Sequence, residues 1–364
     1  MNKRTFLKKS TLAAGSVGLL GSTGLLSSCA KKAQNAGKEQ AATKAANNEN
    51  KREKTLAVFD QSKPNSYVPA AFFMHFDEKL GEGAVKRHIE FFRATNMDFE
   101  KIQYEVVMPY LENIKSPKDW KNIPVYGKDF FEPQLRVIEA LTKELQAEAL
   151  IIPTVYSPLL SAGSTVGIET FLRHVQEDPD EVAKGFQNFA ESIVYFIKEA
   201  KKIGVDGFYL STHGGDKALF SNGPLFHKLI EPYDRYIFEE ATAHTLFNIL
   251  HICSVENTYQ ELDHLAGYPA SVINPPVLLN DGSKTDLKGV QQLFRRPVMS
   301  GLDHHGVIAH GTLDEIKKEV DDVFRNNAPR NFIFAANCTV PGDTSWETLR
   351  GVIDYAHTWR TEHV

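Results

Sequence analysis

From Thr55 onward, short apolar runs alternate with stretches of helical period. Eight runs read as strands: "AAFFMHF" (70–76), "DFEKIQYE" (98–105), "EALIIPTVY" (148–156), "DGFYLST" (206–212), "LFNILHIC" (246–253), "ASVINP" (270–275), "PVMSGL" (297–302) and "NFIFAAN" (331–337). Between them lie amphipathic segments. Residues 180–204 space Val182, Phe186, Phe189, Ile193, Phe196 and Ile197 at helical period and stop at Gly204. Residues 312–327 open on Thr312 with Glu315 three positions on, a capping-box pattern. A last helix is predicted over 344–360. Eight strand–helix alternations predict an α/β fold, a (β/α)8 TIM barrel. An open doubly wound sheet is the alternative, but no Gly-rich fingerprint follows the first run.

In such a barrel the chemistry sits at the C-terminal ends of the strands. Those ends carry His75 and Asp77, Glu105, Tyr156, His213 and Asp216, His251 and Cys253, Asn274, Asp303 to His305, and Cys338, in strand order. Side chains at i and i+2 of a strand share a face, so His251 and Cys253 both aim at the barrel mouth. The fifth and eighth strands face each other across it, which brings Cys338 within reach. One imidazole and two thiolates suit zinc, and three protein ligands leave the open position of a catalytic site. Two other readings stand beside this one. Cys253 and Cys338 can pair as a disulfide in an oxidising compartment, or either can be an inert core thiol.

The other rim residues are weighed singly. His213 and Asp216, in "THGGDK", are candidates for acid/base work or a fourth metal ligand, or else cap the next helix. His75, Asp77 and Glu105 are rim candidates by strand order alone. Tyr156 can bond a substrate or pack. The aromatics of "WKNIPVYGKDFFEP" (120–133) lie in a connection, where they can form a lid. The catalytic candidates are therefore His213, Asp216, Glu105, Tyr156 and His75. No Walker loop, nucleophile elbow or dinucleotide fingerprint is present.

The first fifty residues belong to a different class. A basic head, a soft Gly-rich apolar run and small residues before Cys29 read as an export signal rather than a spanning helix. "NKRTFLK" resembles a twin-arginine signal with Lys3 in place of the first arginine. "LSSC" resembles a bacterial lipobox, which makes Cys29 the expected lipidation site. The expected order is a signal peptide over 1–28, a flexible tether over 29–54 and the barrel over 55–364. The predicted location is a bacterial membrane, on the periplasmic side or the cell surface, reached through a lipid anchor. Twin-arginine export commonly carries proteins folded around a cofactor. Residues 1–54 hold 11 Lys/Arg against 3 Asp/Glu, whereas the rest hold 30 basic and 43 acidic residues. An acidic body argues against general nucleic-acid binding, which depends on phosphate neutralisation.

The segments "IGVDGFYLST", "LFHKLIEPYDRYIFEEA", "ILHICSVEN", "SGLDHHGVIAHGTLDEIKKEV" and "FIFAANCTVPGDTSWETLRGVIDYA" resemble the uroporphyrinogen decarboxylase superfamily over roughly residues 146–360. The resemblance implies a (β/α)8 barrel. The zinc-dependent, corrinoid-linked methyltransferases of that superfamily carry His-x-Cys after the fifth strand and a distant Cys at the eighth. His251, Cys253 and Cys338 match those positions. The true decarboxylases carry a histidine near the position of Cys338 and an Arg-rich stretch after the first strand. Here that stretch reads "FFMHFDEKLGEGAV", without arginine, although many carboxylates need several cations. In the family frame Asp303 is the one inward residue of "GLDHHGVIAHGT", with Asn274 a second candidate to hold a cofactor, and His304, His305 and His310 are expected at the surface. Ser254 replaces a usual glycine, and the loop after the fourth strand departs from the methyltransferase pattern.

The resemblance thus implies a zinc enzyme that moves a methyl group to or from a thiol or a corrinoid, with a corrinoid protein as partner. The alternatives are a metal-free decarboxylase-like lyase acting on a tetrapyrrole or smaller acid, and a non-catalytic tetrapyrrole-binding lipoprotein with Cys253–Cys338 oxidised.

Overall fold

The computed structural model describes residues 50–60, 67–254, 258–327 and 331–359. The expected signal peptide, most of the tether and Cys29 lie outside the described residues. The principal elements are α1 (Lys51–Leu56), α2 (Gly81–Thr95), β1 (Phe99–Ile102), α3 (Lys128–Leu145), β2 (Leu150–Tyr156), α4 (Pro179–Ile203), β3 (Tyr209–Thr212) and α5 (Glu231–Thr242). They continue with β4 (Ile249–Ile252), β5 (Val272–Asn274), α6 (Leu287–Phe294), β6 (Val298–Leu302), α7 (Leu313–Asn327), β7 (Phe332–Ala336) and α8 (Trp346–Thr358).

The seven strands form one parallel sheet in the order β1 to β7. β1, β3, β4, β5 and β7 are buried along their whole length. Burial on both faces is what near-continuous apolar runs under a helix layer require. The sheet is curled. In a flat sheet β4 and β7 would lie three spacings apart, about 14 Å. Yet Cys338 Sγ, just past β7, lies 3.8 Å from Nε2 of His251 in β4.

Among the described residues seven of the eight expected strands form. The first predicted run, 70–76, makes only isolated bridges, Ala70 with Phe334 and Met74 with Val340. Its backbone is satisfied piecemeal instead of by a ladder. The Ala70 N–H donates to the Asp98 carboxylate at 2.7 Å and the Phe76 N–H to the Gln103 side chain at 2.9 Å. The Ala71 N–H donates to Phe334 O on one side, while Ala70 O accepts from Asp98 N–H on the other.

The helix signals act through identifiable bonds. Asp178 caps α4 by accepting from the Asp180 and Glu181 N–H groups, and Gly204 ends it in the left-handed region at φ 97°. Thr312 and Glu315 bond reciprocally ahead of α7. Trp120 forms no lid. It is fully buried against α4 and donates its indole N–H to His174 Nδ1 at 3.0 Å.

Residues 51–54, assigned above to the tether, belong to α1, which docks at the N-terminal ends of the strands. Arg52 bonds Asp206 through both guanidinium nitrogens at 2.8 and 2.7 Å and reaches Ala149 O at 3.2 Å. Lys51 donates to the carbonyls of Asn96 and Met97. These anchors precede β3, β2 and β1, so α1 lies at the opposite end of the sheet from the strand C-termini. Among the described residues no helix is long and apolar enough to cross a membrane.

Candidate metal centre

Asn274 ends β5 and is fully buried. Its amide NH2 donates to the carbonyls of Met299 at 2.8 Å and Ala336 at 3.3 Å. That fixes the amide orientation, so Oδ1 must face the other way. There it accepts from the Tyr209 hydroxyl at 2.8 Å and from Nδ1 of His251 at 2.8 Å. The bond requires the proton of a neutral imidazole on Nδ1, which leaves the lone pair on Nε2. Tyr209 also stacks on the imidazole with ring centroids 5.0 Å apart. The ring is thus fixed in tautomer and tilt before any ligand arrives.

Nε2 points at Cys338. One ligand atom from each of His251, Cys253 and Cys338 lies within 4.8 Å of the others. Ligand atoms around a tetrahedral zinc stand about 3.5–3.8 Å apart, so the cluster needs little contraction to close on a metal. Both cysteines are free thiols in the structure. They are not equivalent. The Cys253 thiol hydrogen-bonds Cys338, which together with His251 holds Cys338 well below the ordinary thiol range, while Cys253 is pushed well above it. Two soft sulfur ligands and one oriented imidazole fit a thiophilic divalent metal.

The other predicted residues divide by position. His213 is buried, with Nδ1 3.4 Å from Ser157 Oγ. Burial, together with the nearby His251, pushes its pKa down to about 4, so it stays neutral. Tyr156 is packed edge-on to Tyr104, and burial pushes its hydroxyl pKa up; both cysteines and Glu105 add to the shift. Asp216 accepts from Ala218 N–H at 2.8 Å and its backbone carbonyl accepts from Leu219 and Ser221, so it organises the turn after β3. Its carboxyl is raised chiefly by burial. Glu105 is held by Lys79 at 3.2 Å, with His75 at 3.8 Å; His75 itself is 48% exposed. Asn274 spends its amide on positioning His251, which leaves no group free for a cofactor. Asp303 is half-exposed and caps its own turn through His305 N–H at 3.0 Å.

Two residues near the site were not among the predicted site residues. His304, expected at the surface, is buried. Its Nδ1 lies 2.9 Å from Asn337 Oδ1, and its charge acts on Cys338. Lys101 lies inside the sheet on β1, with Nζ 4.9 Å from the centre of the Tyr209 ring. The alternation Phe99–Lys101 in "DFEKIQYE" carried the second signal, since i and i+2 share a face. His304 was placed at the strand end with Asp303 and His305, but loop residues have no period that would tell inside from outside.

The curled sheet and its covering helices have relatives among solved structures. A methyltransferase from Methanosarcina mazei superposes with a TM-score of 0.69 at 14% identity, over 84% of this chain and 98% of that one. At that identity the likeness speaks for the fold. A B12-independent methionine synthase from Shewanella sp. W3-18-1, solved in complex with selenomethionine, aligns at a TM-score of 0.48 and 13% identity, over 81% of this chain and 93% of the other. None of the curated proteins matches the chain. The family profile described as uroporphyrinogen decarboxylase (URO-D) matches residues 93–359, all seven strands included, and the chain belongs to that family.

Proposed function

We propose that the chain is a zinc-dependent enzyme of the URO-D family that transfers a methyl group between a corrinoid and a thiol. The observation that carries the reading is the convergence of His251, Cys253 and Cys338 from β4 and the end of β7, with the imidazole oriented by Asn274. The chemistry supplied by zinc in such an open three-ligand site is stabilisation of a bound thiolate at neutral pH. The chain's own residues bind and orient. Asn274 and Tyr209 keep Nε2 of His251 turned inward. His213, neutral and buried, and Tyr156, with ring centroids 6.2 Å apart, would keep water from a bound thiol. His304, held by Asn337 and Asp303, would favour the thiolate form of Cys338. Glu105, with Lys79 and the half-exposed His75, would take up the thiol proton and pass it to solvent. Residues 69–74 complete the barrel as an irregular eighth stave in this reading.

The export signal and the lipobox at Cys29 add a membrane-anchored, exported location to the proposal, with a corrinoid protein or a free corrinoid as partner. A second reading, a decarboxylase-like lyase, is favoured by the family profile itself. Against it stands the segment 72–85, which has no arginine to hold several carboxylates.

The test is turnover of methylcobalamin with a thiol, followed by the cobalamin spectrum. The products are the methyl thioether, cob(I)alamin and the thiol proton. The reading requires turnover that disappears in Cys253→Ser and His251→Ala. Release of carbon dioxide from a porphyrinogen, with no methyl transfer, would establish the lyase instead.

A further inference from the structure

Lys101 stands in the middle of β1 and is only 6% exposed. Its Nζ lies over the faces of two interior rings, Phe73 at 5.0 Å and Tyr209 at 4.9 Å. Tyr209 is also the ring that stacks on His251. A single aromatic side chain therefore separates this ammonium from the imidazole of the candidate metal centre. Among the described residues Nζ makes no hydrogen bond or ion pair. The neighbouring carboxylates are otherwise engaged. Glu105 is held by Lys79 at 3.2 Å. Glu100 is the adjacent strand residue and points to the other face. Burial also pushes its carboxyl well above the usual range.

A buried ammonium whose donors meet only ring faces is costly to keep. Cation–π contact offsets part of the cost. Burial lowers the pKa of Lys101 to about 8. A divalent metal with two thiolates and a neutral imidazole carries no net charge. Lys101 then places a positive charge one ring away from a centre that is itself neutral.

We infer that Lys101 is an anion anchor: it receives a carboxylate on the substrate whose soft atom reaches the His251–Cys253–Cys338 centre. The inference rests on the proposed reading for the soft atom; the carboxylate rests on Lys101 alone. Lys101 thus selects acidic thiols over neutral ones. It binds and positions, and takes no part in bond making.

The test is isothermal titration of the full-length protein with 3-mercaptopropionate and with its methyl ester, which has the same thiol and no charge. Propionate, which has no thiol, is the third ligand. Wild type, Lys101→Met and Lys101→Arg are compared, and the metal content of each is measured. A charge-assisted bond in a buried site predicts a preference for the acid of about tenfold or more. The preference should vanish in Lys101→Met with ester binding and metal content unchanged, and should survive in Lys101→Arg. Equal binding of acid and ester by the wild type overturns the inference without help from any variant. So does a preference that persists in Lys101→Met, or loss of metal in that variant, which would make Lys101 a support of the centre's charge. If no metal is found but propionate still binds in a Lys101-dependent way, the anion anchor stands and the zinc reading falls.

Discussion

Nδ1 of His251 lies 2.8 Å from Oδ1 of Asn274, whose amide hydrogens are both committed to backbone carbonyls. The asparagine therefore acts on the metal centre without touching the ligand position. Outer partners of a ligating histidine typically contribute about 10- to 100-fold in metal affinity. Asn274→Ala should lose affinity in that range, read by competition with a chromophoric chelator. It should also lower the melting temperature, because the Tyr209 hydroxyl and two carbonyls lose their partner. Tyr209→Phe removes one of the two donors to Oδ1 and should have a smaller effect on both. Unchanged metal affinity in Asn274→Ala would show that the imidazole is held by something else.

Arg52 and Asp206 tie α1 to the underside of the sheet. Asp206 is buried and also accepts from Ile151 N–H at 2.8 Å. Removing one partner of a buried pair costs about 3–5 kcal/mol. Arg52 keeps 22% of its side chain exposed, so Arg52→Ala should cost less, about 2 kcal/mol. Chemical denaturation reads the difference. Metal binding should be unaffected, because the pair lies at the far end of the strands from the His–Cys cluster.

His88 in α2 carries a pH dependence of stability. Its Nδ1–H donates to Ala84 O at 2.8 Å and its Nε2 accepts from Gln103 N–H at 3.3 Å, so both nitrogens are engaged in the neutral form. Burial pushes its pKa down from 6.5 to about 4. Between those values the unfolded chain binds more protons than the folded one, so stability rises with pH across the window and is lost as pH falls from 6.5 towards 4. The full effect is about 3 kcal/mol. Urea midpoints at several pH values, compared between wild type and His88→Gln, isolate it. The variant should begin less stable and show a flatter slope. Parallel slopes in the two proteins would assign the acid sensitivity to other groups.

The alternation of apolar runs with helical stretches was enough to place seven strands, because each run is buried on both faces and bounded by turns. It failed at 70–76, which looks like a strand by composition. There, Asp98 and Gln103 take over backbone bonds that a ladder would make, and no local pattern reports that. The His-x-Cys of β4 was legible from parity along the strand, and Cys338 from its place at the end of β7. Lys101 was open to the same parity argument, yet a lysine in an apolar strand reads as an edge or a solvated position until the curl of the sheet puts it inside. His304 and the locking role of Asn274 depend on loop geometry and on the choice between two amide orientations, which only the packed structure decides.

The central claim is that His251, Cys253 and Cys338 hold one metal ion. It is tested most directly by elemental analysis of the full-length protein purified without chelator, beside Cys338→Ser, with free thiols counted in both. The account predicts about one zinc per wild-type chain, and its loss in the variant with the fold retained. Wild-type protein with no metal, and with Cys253 and Cys338 either both freely titratable or joined as a disulfide, would contradict it.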